Sequence, residues 1–285
     1  MEPELHGRLA QPGERLPYKQ DVGSSILSSP TMQNLRSHFA GFLLPIIIHD
    51  SPGGLFVKLG QRLRTIAAMV PAGVTMADIG TDHAYLPIYL VQEKVVTRAI
   101  AGDVHQGPYL SAQNAVAAAQ LQQVISVRLG NGLAVLQPEE ADVVVIAGMG
   151  GANIIDILHS CPDITSTVQR LILQPMIAAA PVREWLYGHG WQIVDEQLVQ
   201  EEGKLYQIIA AEPGADYIDD QSLYEIGPRL WQARHPLLEL HINELINHLR
   251  AVILAMGGSD DAVKSAKYEE YTRKLKDLEA KRLCL

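Results

Sequence analysis

Val74-Thr-Met-Ala-Asp-Ile-Gly80-Thr-Asp-His-Ala-Tyr-Leu-Pro87 runs from an apolar stretch through a glycine and a short polar segment into a second apolar stretch. That pattern predicts a strand, a tight turn and a helix. The alternation continues downstream. Strands are expected at Val74–Ile79, Val95–Val104, Val124–Leu129, Val143–Ala147 and Leu171–Leu173. Helices are expected after the first strand to about Lys94, from about Gly107 to Gln122, and from about Pro181 to Tyr187. Val143–Ala147 is apolar throughout, as suits a parallel strand covered on both faces. Gln192–Val199 and Leu205–Ala211 are separated only by Gln200-Glu-Glu-Gly-Lys204. That loop is too short for a parallel crossover, so these strands must pair antiparallel. The expected fold is α/β: a Rossmann-like, mostly parallel sheet ending in an antiparallel hairpin.

The 285 residues suit one large domain with an appendage, and 47% hydrophobic residues supply an ample core. Cys161 and Cys284 are too few for a disulfide framework or zinc cluster, so a reducing, cytoplasmic setting is expected. The most apolar run, Phe39–Ile48, is broken by Pro45 and is too short to span a membrane. A net charge of −9 argues against indiscriminate coating of nucleic acid but leaves room for a local basic patch.

Upstream, residues 1–56 are rich in Pro, Gly, Ser and Gln and lack a sustained period. From Val57 the pattern is regular: Leu59, Leu63, Ile66, Ala67 and Val70 recur at helical spacing until Pro71-Ala-Gly73. Beyond Gly214 the strand signal stops. Leu238, Ile242, Leu245, Leu249, Val252 and Met256 form a heptad seam. Gly257-Gly-Ser259-Asp-Asp261 supplies a stop, a turn and an N-cap, and Tyr268, Tyr271, Leu275 and Leu278 resume the spacing. An antiparallel coiled-coil hairpin follows. The expected organisation is therefore 1–56 as a disordered or non-native extension, 57–214 as the α/β domain and 215–285 as the helical hairpin. Removing the chain from about Tyr217 onward is expected to leave a folded α/β domain.

In open α/β sheets ligands sit at the carboxyl ends of the strands, which places the Asp78–Gly80 turn against a cofactor. Gly80 permits close backbone approach, and Asp103 at the next strand end, followed by Val104, can accept from a ribose. Asn131-Gly132 can flank an adenine. A dinucleotide needs a second glycine where Asp82 stands, and that carboxylate would repel a pyrophosphate. S-adenosylmethionine, with its sulfonium and ammonium, suits the carboxylates. The fourth strand ends in Ala147-Gly148-Met149-Gly150-Gly151, without the Asn/Asp-Pro-Pro-aromatic of amine-directed nucleic-acid methyltransferases. A ring nitrogen with an in-plane lone pair is the better acceptor for such a site. Asp82, His83, Tyr85 and Met149 are the candidate catalytic residues; Ala147 and Gly148 join the cofactor set, and Gln174 is a candidate substrate contact. His241 and His248 share a helix face and read as solvated, and no metal site is expected.

Val57-Lys-Leu-Gly-Gln-Arg-Leu63, Ala77-Asp-Ile-Gly-Thr-Asp-His-Ala-Tyr-Leu-Pro87, Gly102-Asp-Val-His-Gln-Gly-Pro108, Gly130-Asn-Gly-Leu133, Ile146-Ala-Gly-Met-Gly-Gly151 and Leu173-Gln-Pro-Met176 resemble the bacterial tRNA (adenine-22-N1)-methyltransferase family. So do Arg183-Glu-Trp-Leu186 and Tyr224-Glu-Ile-Gly-Pro228. The resemblance implies a class I methyltransferase domain with a coiled-coil hairpin, S-adenosylmethionine as donor and a tRNA D-arm adenosine as acceptor, with no protein partner required. By position it assigns Asp78, Gly80, Asp103 and Asn131 to the cofactor. The family often carries Asp where Asn131 stands; the amide keeps one acceptor, adds a donor and loses the charge.

Other readings are a class I methyltransferase for a small molecule or protein, and a non-catalytic module whose hairpin binds a partner. Lys264, Lys267, Arg273 and Lys274, with Lys276, Lys281 and Arg282, make the last helix locally basic and favour tRNA. Family members usually begin with Met where Val57 stands, and a GTG codon reads as Met when it initiates. Leu9–Ser25 resembles a tRNA gene read as protein. The expectation is that 1–56 lies outside the working protein, with Met32 an intermediate start.

Overall fold

The chain is described from a computed structural model, in which residues 47–51 and 54–285 are placed. Residues 1–46, on which most of the expected non-native extension falls, lie outside the described residues. Strands β1 (Ile47–Ser51) and β2 (Gly54–Lys58) pair antiparallel, in a stretch whose composition predicts no regular element before Val57. From there the chain is held by the core: Val57 and Leu59 are buried, and Val57 N donates to Gln92 Oε1 (3.3 Å). The helical spacing that begins at Leu59 becomes helix α1 only at Gln61–Ala68, because Gly60 remains extended.

Seven strands form the main sheet: β3 (Thr75–Ile79), β4 (Arg98–Asp103), β5 (Ile125–Leu129), β6 (Val143–Gly150), β7 (Arg170–Ile177), β8 (Trp191–Glu201) and β9 (Lys204–Pro213). Their order is β5-β4-β3-β6-β7-β9-β8, parallel through β7, with β9 antiparallel to both β7 and β8. Alternation along each strand divides the core between the two faces. Met76, Ala101, Val145 and Ile172 belong to one cluster and Ala77, Ile79, Ile100, Val144, Ile146, Leu171 and Leu173 to the other. Helices α2 (Tyr85–Gln92) and α3 (Gln106–Ala118) contribute to the first. Helices α4 (Gly151–Ser160) and α6 (Ala179–Gly188) contribute to the second, and a single turn α5 (Pro162–Thr165) lies between them in sequence. The strand order reverses between β3 and β6, which is where such sheets open a crevice at their carboxyl ends.

Short helices α7 (Ser222–Ile226) and α8 (Pro228–Gln232) lead to α9 (Leu238–Met256). The expected turn contains one further helical turn, α10 (Asp260–Val263), before α11 (Ala266–Arg282). Ser265 caps α11 by accepting from Tyr268 N (3.2 Å), so the N-cap lies later than the Ser259–Asp261 stretch suggested. Arg250 reaches Glu279 (2.6 Å) while Arg282 reaches Asn243 (3.4 Å), which makes the two helices antiparallel. The buried stripe is wider than the heptad seam. It takes in His241 and Ile246 with Leu238 and Ile242, because the base of α9 packs in one cluster with Ile226, Leu230 and Leu198 of β8.

That junction explains two motifs at once. Arg183 on α6 and Glu196 on β8 form a fully buried ion pair (Nε–Oε1 2.7 Å). Arg183 also donates to Tyr224 O (2.7 Å) and Gln207 Oε1 (2.8 Å), and Glu196 Oε2 accepts from Arg229 N (2.8 Å). Gly227, at φ +104°, leaves the gap these groups need: a Cβ there would lie 2.9 Å from Arg183 Nη2 and 3.0 Å from Glu196 Oε1. The helical segment therefore completes the polar core, and the described residues form one compact unit. Cutting at Tyr217 would remove Tyr224 and Arg229 from the buried pair, so the helical segment bears on the stability of the α/β domain that truncation would leave.

His241, read from sequence as solvated, is 3% exposed, with Nε2 3.1 Å from Ile226 O. Burial, helped by the Arg183 charge, pulls it down to about 4. The unfolded chain binds this proton near pH 6.5 and the folded chain only near 4, so the group's contribution to stability is lost as pH falls between them. Thermal melts of His241→Gln are expected to show a smaller acid-induced drop across that window than the parent; equal drops would exclude His241 as the cause.

Candidate active site

The carboxyl ends of β3, β4, β6 and β7 carry the candidate residues. At the β3 turn Gly80 takes φ +82°, and both Gly80 N (2.8 Å) and Thr81 N (3.1 Å) donate to Gly102 O on β4. The Thr81 hydroxyl accepts from Ala84 N (3.1 Å), which closes the turn onto α2. The positive φ of Gly80 disfavours any side chain there, and a Cβ would also push aside the end of the Met149 side chain. Burial pushes the Asp78 carboxyl up to about 6, reinforced by Asp103 and opposed by a Thr81 hydrogen bond and the Arg62 charge. Asp78 is therefore mostly ionised at neutral pH.

Asp103 closes β4, nearly buried, with Oδ1 accepting from His105 N (2.7 Å). Its carbonyl accepts from Gly130 N (2.9 Å), which ties the Asn131-Gly132 turn to the same strand end. Val104 and Leu129, both 52% exposed, leave apolar surface beside this turn. Asn131 is exposed, and Gly132 takes φ +52° against Ile157. Two carboxylates beside exposed apolar surface fit a cationic, ribose-bearing ligand and oppose a pyrophosphate.

Asp82, His83 and Tyr85 lie together on the β3–α2 turn. His83 Nε2 is 3.3 Å from Asp82 Oδ2, the rings of His83 and Tyr85 stack at 5.0 Å, and Asp82 is largely exposed. Burial, with the Asp82 charge, raises the Tyr85 hydroxyl above its usual range. On β6 the pairing with β7 shifts register at Ala147/Met149 and again at Met149/Gly150, and Gly148 turns at φ +77°. Gly151 sits so close to the Ala178 carbonyl that a Cβ would strike backbone, which fixes the two turns against each other.

The sequence reading missed Arg62 as a site residue. Its Nη1 donates to Gln174 Oε1 (2.6 Å), its guanidinium lies over the Tyr206 ring (5.5 Å), and its backbone N donates to Glu201 Oε1 (3.3 Å). The available signal was its place in the Val57–Leu63 motif; spacing along α1 alone marks it only as a surface cation. Gln174, fully buried, also accepts from Gly148 N (3.1 Å).

The hairpin cations divide. Lys264, Lys267 and Arg273 are exposed, with Lys267 5.6 Å from the Tyr271 ring. Lys274 instead braces α11 against α7 through Glu225 (2.8 Å) and Glu270 (2.9 Å), so its charge is already used within the fold. Lys281 does the same with Asp220 (2.5 Å), over the Trp231 ring. Among the described residues no cluster of His, Cys, Asp and Glu could hold a metal ion, and no helix is long and apolar enough to cross a membrane.

The family model for tRNA (adenine(22)-N(1))-methyltransferase matches residues 76–279. A tRNA (adenine(22)-N(1))-methyltransferase of Bacillus subtilis (strain 168) is 38% identical over 231 residues, 78% of this chain and 93% of that protein. The crystal structure of the B. subtilis m1A22 tRNA methyltransferase superposes with TM-score 0.73 at 37% identity, covering 79% of this chain and 99% of that one. A Streptococcus pneumoniae structure in complex with S-adenosyl-L-methionine has TM-score 0.70 at 34% identity, covering 79% of this chain and all of that one. With its sheet order, turn geometry and last helices accounted for, the chain belongs to the tRNA (adenine(22)-N(1))-methyltransferase family.

Proposed function

We propose that this protein transfers the methyl group of S-adenosylmethionine to ring N1 of adenosine 22 in tRNA. The observation that carries this reading is the pair of carboxylates Asp78 and Asp103 at neighbouring strand ends, beside a β6 turn that offers glycines in place of an amine-gripping motif. When bound, the cofactor supplies an electrophilic sulfonium methyl. Asp103 accepts from the ribose hydroxyls, Val104 and the Asn131-Gly132 turn contact the adenine, and ionised Asp78 with Gly80, Ala147 and Gly148 receives the amino-acid end. The acceptor nitrogen has its lone pair in the ring plane, so positioning dominates the chemistry. The base must first leave its stack, at a cost of a few kcal/mol. Methylation leaves a cationic ring until an exocyclic proton departs, and in this reading exposed Asp82, beside His83, accepts it. Tyr85 and Met149 shape this mouth.

Lys264, Lys267 and Arg273 supply a local positive surface for tRNA on an otherwise acidic chain. Replacing all three by Ala is expected to weaken tRNA binding most at low salt and to reduce the slope of log K against log salt by roughly 2, since each phosphate contact contributes about 0.7–0.9. An unchanged slope would assign these cations to solvent. Asp78 gives a pH test. Cofactor affinity is expected to be flat above pH 7 and to fall by about tenfold per pH unit well below 6, as the carboxylate takes a proton. The same protonation removes a buried charge, so from this group the free fold gains stability in acid, while His241 acts oppositely over the same window; a melt at each pH separates lost affinity from unfolding. Calorimetry on Asp78→Asn should give a flat, weak profile; a sloping one would exclude Asp78. The reading as a whole is tested by methyl incorporation into a tRNA transcript and into one with A22 replaced by G. Equal incorporation would move the target elsewhere.

A further inference from the structure

Gln174 is the one fully buried polar side chain of the β7 end whose hydrogen bonding is lopsided. Its Oε1 takes two bonds, from Arg62 Nη1 (2.6 Å) and Gly148 N (3.1 Å). A guanidinium and a backbone N–H only donate, so the carboxamide cannot be turned end for end without setting two donors against its NH2. The polarity of the amide is thereby fixed. On the other side, among the described residues, the NH2 group has a single partner, Met176 Sδ at 3.6 Å. A thioether is a weak acceptor and this contact engages only one of the two N–H groups, whereas buried amide donors almost always find full partners.

The cover over this donor is loosely held. Met176 is 45% exposed and Ile177 72%, at the register-shifted mouth where Met149 stands opposite Pro175 and Gly150 opposite Ile177. Large apolar side chains left in water beside a half-satisfied donor describe a surface made for a flat, partly apolar ligand that carries an acceptor. Methionine is unbranched and soft enough to swing aside for a ring and then pack on it.

We infer that Gln174 reads the target base: its Nε2 donates to a ring acceptor other than N1, either N3 or N7, once Met176 is displaced. Arg62 is the positioning residue that sets the polarity of the amide. The inference rests on the adenosine-N1 reading above and deepens it. A donor aimed at N1 would occupy the lone pair that must attack, so the contact has to fall on another ring nitrogen. Bound there, the base is held by an atom that the reaction leaves unchanged. Gln174, Arg62 and Gly148 thus form a chain from α1 through β6 and β7 to the acceptor.

The test uses the full chain and tRNA transcripts carrying adenosine, 3-deazaadenosine or 7-deazaadenosine at position 22, with cofactor saturating. Each deaza base keeps N1 and loses one candidate acceptor. Wild type is expected to lose roughly 10- to 100-fold in kcat/KM on one deaza transcript and little on the other. Gln174→Glu keeps the shape and both accepted hydrogen bonds but removes the donor. It is expected to lose a similar factor on adenosine and nothing further on that same deaza transcript; melting temperature and cofactor affinity of the variant, measured alongside, report separately what the added charge beside Arg62 does to fold and cofactor. Wild type using both deaza transcripts as well as adenosine would overturn the inference without any variant. So would Gln174→Glu keeping full activity, or losing the same factor on all three transcripts. Absence of methylation of the adenosine transcript by wild type would instead remove the proposed function itself, and this inference with it.

Discussion

Glu196→Ala is expected to lower stability by about 3–5 kcal/mol, since it leaves the Arg183 guanidinium buried without its counter-charge. For a chain of this size that corresponds to a fall in melting temperature of roughly 10 °C. The loss has a second component. Glu196 Oε2 accepts from Arg229 N at the start of α8, and Arg183 holds the carbonyls of Tyr224 and Glu225 at the end of α7. Releasing the pair therefore loosens the seat of the helical hairpin as well as the α6–β8 contact. The double replacement Arg183→Met with Glu196→Met removes both charges together and should recover the part of the loss that comes from the unpaired charge, but not the part from the carbonyls, Gln207 and Arg229 N that lose their partners. Denaturant unfolding of the three proteins checks this. A Glu196→Ala protein within 1 kcal/mol of the parent, on the order of a surface change, would mean that the junction is wetter than described.

Asp103→Ala is expected to weaken S-adenosylmethionine binding by about 1.5–3 kcal/mol, the range for hydrogen bonds to a charged group. That is on the order of 10- to 150-fold in affinity. The carboxylate is placed for this by β4 pairing on both sides and by the His105 N–H at 2.7 Å, which holds Oδ1. Asp103→Asn retains an acceptor and should fall between. Calorimetry that finds the Ala variant binding as the parent does would take Asp103 out of the site.

What could be read from sequence followed the strength of local signals. Val143–Ala147 read as a strand covered on both faces, and the short Gln200–Lys204 loop could only join antiparallel neighbours; both stand as β6, buried through Ile146, and the β8–β9 pair. The glycines that mark turns were legible for the same reason, since Gly80, Gly132 and Gly148 each take positive φ. Contacts distant in sequence left no such trace. Arg62 and Gln174 are 112 residues apart, and nothing in either neighbourhood announces the other. His241 looked solvated because its partner surface, α7 and α8, follows no heptad period, so the wider buried face of α9 was invisible to seam counting. Lys274 counted toward a basic face until the acids that neutralise it, one of them on another helix, were in place. The two motifs around Arg183 and Gly227 were recognisable as text, but their meaning, one shared buried ion pair, exists only in three dimensions.

The central claim is that this chain methylates N1 of adenosine 22 in tRNA. The most direct measurement is nucleotide-resolution mapping of 1-methyladenosine in tRNA from cells with the gene, without it, and with it restored as the Asp103→Ala form. The account predicts methylation at position 22 in the first, none at that position in the second, and little in the third. Methylation at position 22 that persists without the gene, or a modification lost at some other position, would contradict it.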